Sequence, residues 1–123
     1  MDIICDKYYK GYEGEPEIQF IEELAIDQKK IISIWSGYFD DIMNIIKPTD
    51  AGWKGIALYY HLYTGWYEES PWQLVDIEEA LAQFQQLDRD KLTFEKSKYL
   101  LQEICDLLQE SVDNKKKIWI ALE

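Results

Sequence analysis

The spacing of apolar residues changes near the C-terminus, and this change constrains the fold more than any other feature of the sequence. Between Thr93 and Asn114 the apolar residues recur at intervals of three or four: Leu101, Ile104, Cys105, Leu108 and Val112. This spacing is typical of a helix with one buried face. Residues 118–122 instead alternate as a strand does, with apolar side chains on both sides. A one-sided helix next to a two-sided strand predicts helices packed on a sheet.

The N-terminal half contains weaker versions of both patterns. Residues 2–10 predict a short strand, and residues 18–26 predict a second strand with one acidic face, with a helix as the alternative. Asp27 can cap a helix that ends before Pro48. Its apolar face would be Ile31, Trp35, Tyr38, Ile42 and Ile45. Gly37 inside this helix costs about 1 kcal/mol relative to Ala, which either a close approach or chance explains.

The middle of the chain predicts further helices. Thr49 or Asp50 can start an element that ends before Gly65 and is either a helix or a strand. Residues 66–72 predict a loop. Asp76 and Glu79 resemble a capping box for the next helix, and Thr93 is the predicted cap of the last one. We therefore predict one α+β domain over residues 1–123, with three or four helices packed on a small, mainly antiparallel sheet formed largely by the chain ends.

The formal net charge of -11 limits the classes of partner. An acidic chain is repelled by nucleic-acid phosphates and by anionic membranes, so we expect neither as a partner. It is attracted to basic proteins, and its field speeds that encounter. The alternative is that the acidity serves solubility alone.

Other features of the sequence predict the compartment. No secretory signal opens the chain, because Asp2, Asp6 and Lys7 interrupt any apolar segment there. No apolar run approaches the roughly 20 residues that a membrane span needs. We expect a cytoplasmic monomer in which Cys5 and Cys105 are reduced thiols.

The sequence contains no recognisable catalytic constellation. His61 is the only histidine, the two cysteines lie far apart, and no glycine-rich phosphate loop occurs. Adjacent carboxylates at Glu68 and Glu69 are expected by chance in an acidic chain, and a carboxylate site for Mg²⁺ stays open. We predict that the protein is not an enzyme and uses no cofactor.

The segment WYEESPWQLVD, residues 66–76, is the strongest candidate for partner binding. It places aromatic side chains beside carboxylates and a stiffening proline, which suits recognition of Lys- and Arg-rich surfaces. The alternative is that Trp66 and Trp72 simply cover the core. The predicted partner-binding residues are Trp66, Tyr67, Glu68 and Glu69, then Asp76, Glu78 and Glu79, with Asp40 and Asp41 as an addition.

From Gly52 to Leu87 the chain carries GWK, then GWYEESPW, then an amphipathic helix. In this pattern it resembles the immunity proteins of bacterial contact-dependent growth inhibition and related polymorphic toxin systems. The resemblance implies a cytoplasmic protein that binds a cognate toxin domain and blocks its active site or substrate surface, without catalytic residues of its own. Many such toxins are nucleases, which are basic because they bind phosphates.

Three hypotheses follow. The first is an immunity protein that neutralises a basic, nuclease-type toxin domain by stoichiometric binding. The second is a small acidic adaptor or regulatory protein-binding module. The third is a carboxylate-dependent enzyme that uses His61.

Overall fold

The computed structural model describes residues 2–46, 71–74 and 76–122. In chain order the elements are β1 (Ile3–Tyr8), β2 (Glu17–Ala25), β3 (Gln28–Trp35), α1 (Ser36–Ile45), β4 (Trp72–Gln73), α2 (Ile77–Gln85), a short 3-10 helix (Arg89–Lys91), α3 (Glu95–Asn114) and β5 (Ile118–Leu122). The described part of the chain is therefore α+β, as the sequence predicts. None of its helices is both long enough and apolar enough to cross a membrane.

The strands form one mixed sheet in the order β1-β3-β2-β5-β4. β2 and β3 form an antiparallel hairpin, and β5 pairs antiparallel with the other side of β2. β1 pairs with β3 in parallel, because the connection between β1 and β2 carries the chain past β3. Gly11 and Gly14 in that connection have φ of 97° and 96°, a region that glycine adopts without strain.

All three helices pack on the same face of the sheet. Phe20 of β2 contacts Phe39 of α1 and Phe84 of α2, with ring centroids 6.0 and 6.5 Å apart. Glu22, on the same face of β2, accepts a hydrogen bond from Ser111 of α3. The core therefore lies between one face of the sheet and the helix layer.

The helix predicted from Asp27 to Pro48 is wrong in its first half. Residues Gln28–Trp35 form β3, and only Ser36–Ile45 is helical. The apolar residues of β3 match a helical spacing, but the strand is bonded on both sides, to β1 and to β2. Pairing on both sides satisfies the backbone of this β-branched segment and outweighs its local pattern.

The glycine at position 37 is explained by the close approach of the Trp35 side chain, at the end of β3. A Cβ atom at this position would lie 2.6 Å from Cζ2 of Trp35, inside van der Waals contact. The indole ring folds back over the first turn of the helix and stacks on Tyr12 at a centroid distance of 4.1 Å. The glycine therefore makes room for the ring.

Two predicted helix caps have different outcomes. Asp76 caps α2 as predicted, because its Oδ1 accepts a hydrogen bond from the Glu79 amide at 2.9 Å. The prediction that Thr93 caps α3 is wrong: the capping position is Phe94, and no side chain of its own supplies the bond. α3 ends at Asn114 as predicted, with Lys115 in the left-handed conformation at φ 55°.

The chain ends contribute to the sheet but do not form most of it. β5 is a strand as predicted, yet it lies inside the sheet between β2 and β4. β1 is at an edge and does not touch β5. The hairpin of β2 and β3 separates them, so the sheet is centred on residues 17–35.

Candidate binding surface

Four of the predicted partner-binding residues, Trp66, Tyr67, Glu68 and Glu69, lie outside the described residues. His61 and the predicted element between Thr49 and Gly65 lie outside them as well. The structure does not test the predictions for these residues.

The predicted carboxylates at the start of α2 are described, and they have basic neighbours. Asp76 and Glu78 line a depression together with Lys115 and Lys116, which follow the end of α3. Two acidic and two basic residues therefore lie close together here, which reduces the local negative potential. Glu79 is half-buried on the same turn.

Asp41, one of the predicted partner-binding residues, is buried and has a structural role. The side chain is 8% exposed, and its carboxylate accepts backbone hydrogen bonds from Thr93 and Phe94, each at 3.0 Å. Burial alone would raise the pKa of Asp41, but hydrogen bonds from the two amides, together with those of the Ser97 and Thr93 side chains, outweigh it and the pKa lies below its ordinary value. Asp41 thus supplies, from α1, the cap that α3 lacks. Asp40 precedes it on α1 and is half-buried.

A groove that sequence analysis did not predict runs between the edge strand β1 and helix α3. Its volume is about 520 Å³. The sheet side is apolar except for Lys30, and the α3 side consists of three carboxylate residues and Leu107. The lining residues are Ile3, Ile4, Cys5, Lys30, Ile32, Glu103, Asp106, Leu107 and Glu110.

The sheet side of this groove exposes apolar surface. Ile3 and Ile4 are 49% and 61% exposed, although both belong to a strand. β1 is an edge of the sheet, so no strand among the described residues pairs with its outer side. An edge of this kind presents backbone N–H and C=O groups that can pair with another chain.

The helix side of the groove is acidic. Glu103, Asp106 and Glu110 line it against a single cation, Lys30, which forms a salt bridge to Glu110 at 3.3 Å. Lys7 pairs with Glu103 at the groove's end. Asp106 forms no salt bridge within the described ranges. Its Oδ1 accepts a hydrogen bond from the side-chain Nε2 of Gln102 at 2.9 Å. Such exposed pairs contribute little stability, so they can exchange partners at low cost.

A buried carboxyl group lies behind the acidic wall. Glu22 is fully buried, and its Oε2 accepts a hydrogen bond from Ser111 Oγ at 2.7 Å. Its Oε1 has no hydrogen-bond partner among the residues that the structure describes. Burial raises the pKa of Glu22, and the neighbouring Glu110 carboxylate raises it further.

The two titratable groups of β1 near the groove are kept in their neutral forms. Burial raises the pKa of the Cys5 thiol, and the Glu103 charge adds to the effect. Tyr8 is buried beside the same carboxylate, and burial likewise raises the pKa of its hydroxyl. A thiol with a raised pKa is a poor nucleophile. Cys105, buried on α3, is a small core side chain as predicted.

Metal coordination finds no support in the described ranges. Within residues 2–46, 71–74 and 76–122, no three His, Cys, Asp or Glu side chains are grouped to hold an ion. What the groove offers instead is apolar contact along a strand edge next to carboxylates that are already positioned.

The groove was missed because three distant segments build it. Glu103, Asp106 and Glu110 recur at three and four residues, which was a readable signal of one acidic helix face. Nothing in the sequence placed that face beside β1, about 100 residues earlier along the chain.

Comparisons with known proteins do not identify the chain. No protein-family model, no curated protein and no solved structure matches it.

Proposed function

We propose that the protein is a stoichiometric inhibitor that binds a basic toxin domain, in the manner of a bacterial immunity protein. The observation that carries the proposal is the distribution of charge on α3. From Tyr99 to Asn114 this helix carries Glu103, Asp106, Glu110 and Asp113 and no Lys or Arg. The whole chain has a net charge of -11 in the same direction.

The carboxylates of α3 are held in place before any partner arrives. Gln102 donates to Asp106 at 2.9 Å and Gln109 donates to Asp113 at 3.0 Å, each across one helical turn. A rigid helix with fixed acceptors loses little conformational entropy on binding. A nuclease-type toxin carries cations that bind phosphates, and a fixed row of carboxylates is complementary to them.

The test begins with isolation of the partner. The tagged chain is purified from its native host at low ionic strength, the co-purifying protein is identified, and that protein is expressed with and without this chain. We expect the partner to stop growth when expressed alone and to be tolerated when the chain is present. A partner that is harmless alone would indicate an adaptor and would contradict the proposal.

Salt dependence provides the second measurement. The dissociation constant of the purified complex is measured between about 0.05 and 0.3 M KCl, a range over which screening of exposed charges increases strongly. We expect affinity to fall steeply, mainly through a slower association rate. Affinity that does not change with salt would show that the acidic surface serves solubility and not binding.

A further inference from the structure

The groove between β1 and α3 suggests how a partner is held. We propose that β1 accepts an extended segment of a basic protein as an added strand, with alternating basic and apolar side chains in that segment. This inference rests on the proposed function, because it specifies the mode in which the basic partner binds.

The first support is the state of the strand edge. Natural proteins protect edges with charged residues, prolines or bulges. β1 has its register shift only between Cys5 and Tyr8, and Lys7 lies in the same part. The stretch Ile3–Cys5 has no such protection, pairs regularly with Lys30–Ile32 on one side, and exposes two isoleucines.

The second support is the difference between the two faces of β1. Ile3 aligns with Lys30 and so points to the helix side, where Asp106 and Glu110 line the groove. On the opposite face, four residues of neighbouring strands align in one row: Ile4 of β1, Ile31 of β3, Ile21 of β2 and Trp119 of β5. The far face therefore carries an apolar row that leads across the sheet to its edge at Ile4.

These two faces define the occupant. Because successive side chains of a strand point to opposite faces, an added strand would place every second residue beside the carboxylates and the others beside Ile4. Basic residues suit the first positions and apolar residues suit the second. Main-chain hydrogen bonds to β1 would supply affinity, and the alternation would supply specificity. A second copy of this chain fits less well, because its own groove carries the same negative charge.

Two synthetic probes test the mode of binding. The first is a peptide of about ten residues in which lysine and valine alternate, and the second has the same composition with the lysines and valines in separate blocks. We expect the alternating peptide to bind at least about tenfold more tightly, equivalent to about 1.4 kcal/mol. We also expect those amide protons of the stretch Ile3–Cys5 that point away from β3 to exchange more slowly in its presence. Equal binding of both peptides without this protection would overturn the proposal.

Two matched pairs of variants locate the site. Asp106→Lys removes a carboxylate that lines the groove. Its control, Asp113→Lys, makes the same charge change at a residue that does not line the groove. Each substitution also removes one hydrogen bond from a glutamine side chain. Ile4→Lys places a cation on the edge of β1. Its control, Ile26→Lys, makes the same substitution in the turn between β2 and β3, where the isoleucine is 98% exposed. We expect the first member of each pair to weaken peptide binding by about tenfold or more and the second to have less than about a twofold effect. Equal effects within both pairs would show that the peptide binds by general charge attraction.

The outcomes separate this inference from the proposed function. If the native partner is toxic and its binding is salt-dependent, but Ile4→Lys and Asp106→Lys leave its affinity unchanged, the partner binds elsewhere and the strand-addition mode is wrong. If the alternating peptide binds as expected but no toxic partner is found, the strand-addition mode is supported and the proposed role as a toxin inhibitor is contradicted. Concentration-dependent dimerisation that Ile4→Lys abolishes would assign the edge to a second copy and also overturn the proposal.

Discussion

At the scale of single residues, two carboxylates on the interior side of the protein behave in opposite ways. Asp41 is ionised more easily than a free aspartate, because two backbone amides donate to it. Glu22 is ionised less easily, because it is buried and lies beside the Glu110 carboxylate. The difference comes from hydrogen bonding and not from depth alone, since the amides of Thr93 and Phe94 are donors that Glu22 lacks.

Asp41→Asn should destabilise the fold, because the amide oxygen is a weaker acceptor and can serve only part of the same donors. We expect the free energy of unfolding to fall by about 1–2 kcal/mol, the usual value of a helix cap. In the wild type the contribution of Asp41 should be present above pH 3.8, the ordinary value for aspartate, and should be lost as pH falls through the lower pKa of the folded state.

Urea denaturation between about pH 2 and 7 measures both effects. Asp106→Asn, an exposed change on α3, is the control and should cost less than about 0.5 kcal/mol. An Asp41→Asn variant as stable as the wild type at neutral pH would show that α3 does not depend on this cap.

At the scale of elements, β5 joins the edge strand β4 to the rest of the sheet. It lies between β2 and β4, and Ile118 and Ile120 are fully buried against the helix layer. On its other face the Trp119 indole donates to Glu23 at 2.9 Å. This strand therefore contributes buried isoleucines to the core with one face and a hydrogen bond with the other, although it is the last element of the chain.

Ile120→Ala should be among the most damaging changes in the sheet. Ile120 aligns with Phe20 on one side and with Trp72 on the other, so a cavity there is enclosed by the sheet as well as by the helices. We expect a loss of about 2–5 kcal/mol. Lys117→Ala, at an exposed residue just before the strand, should cost less than about 0.5 kcal/mol. Similar midpoints of denaturation for both variants would contradict the placement of β5 in the core.

At the scale of the whole molecule, repulsion between like charges opposes the compact state. The chain has 24 acidic and 13 basic residues, and only three salt bridges occur among the described residues. Folding brings the unpaired carboxylates together on a surface of 7197 Å². This repulsion is long-ranged at low ionic strength and is screened within about 10 Å at 0.1 M salt.

The melting temperature should therefore rise with salt in the absence of any partner. We expect an increase of a few degrees between about 0.01 and 0.15 M KCl at pH 7, corresponding to about 1 kcal/mol. Near the isoelectric point of 4.5 the same change of salt should have little effect, because the net charge is close to zero. A melting temperature that falls with salt at pH 7 would mean that attractive ion pairs dominate the surface.

The sequence was sufficient to predict local structure where the signal for an element lies within that element. It predicted the start of α2 at Asp76, the end of α3 at Asn114, the strand at 118–122 and the α+β class, because helix caps and the period of apolar residues act over a few neighbouring positions. It also predicted that Cys105 is buried. The charge of the chain, and with it the expected class of partner, follows from composition alone.

Only the tertiary structure decided the features that depend on contacts between distant segments. Residues 28–35 became a strand because β1 and β2 pair with them from either side, against a spacing that also suits a helix. Asp41 became a cap for α3 across 52 positions, and the acidic face of α3 became a groove wall because β1 lies beside it. In each case the stabilising interaction is with a segment distant in sequence, which the local sequence does not identify. Helix capping and the spacing of apolar residues, by contrast, depend on neighbours within a few positions.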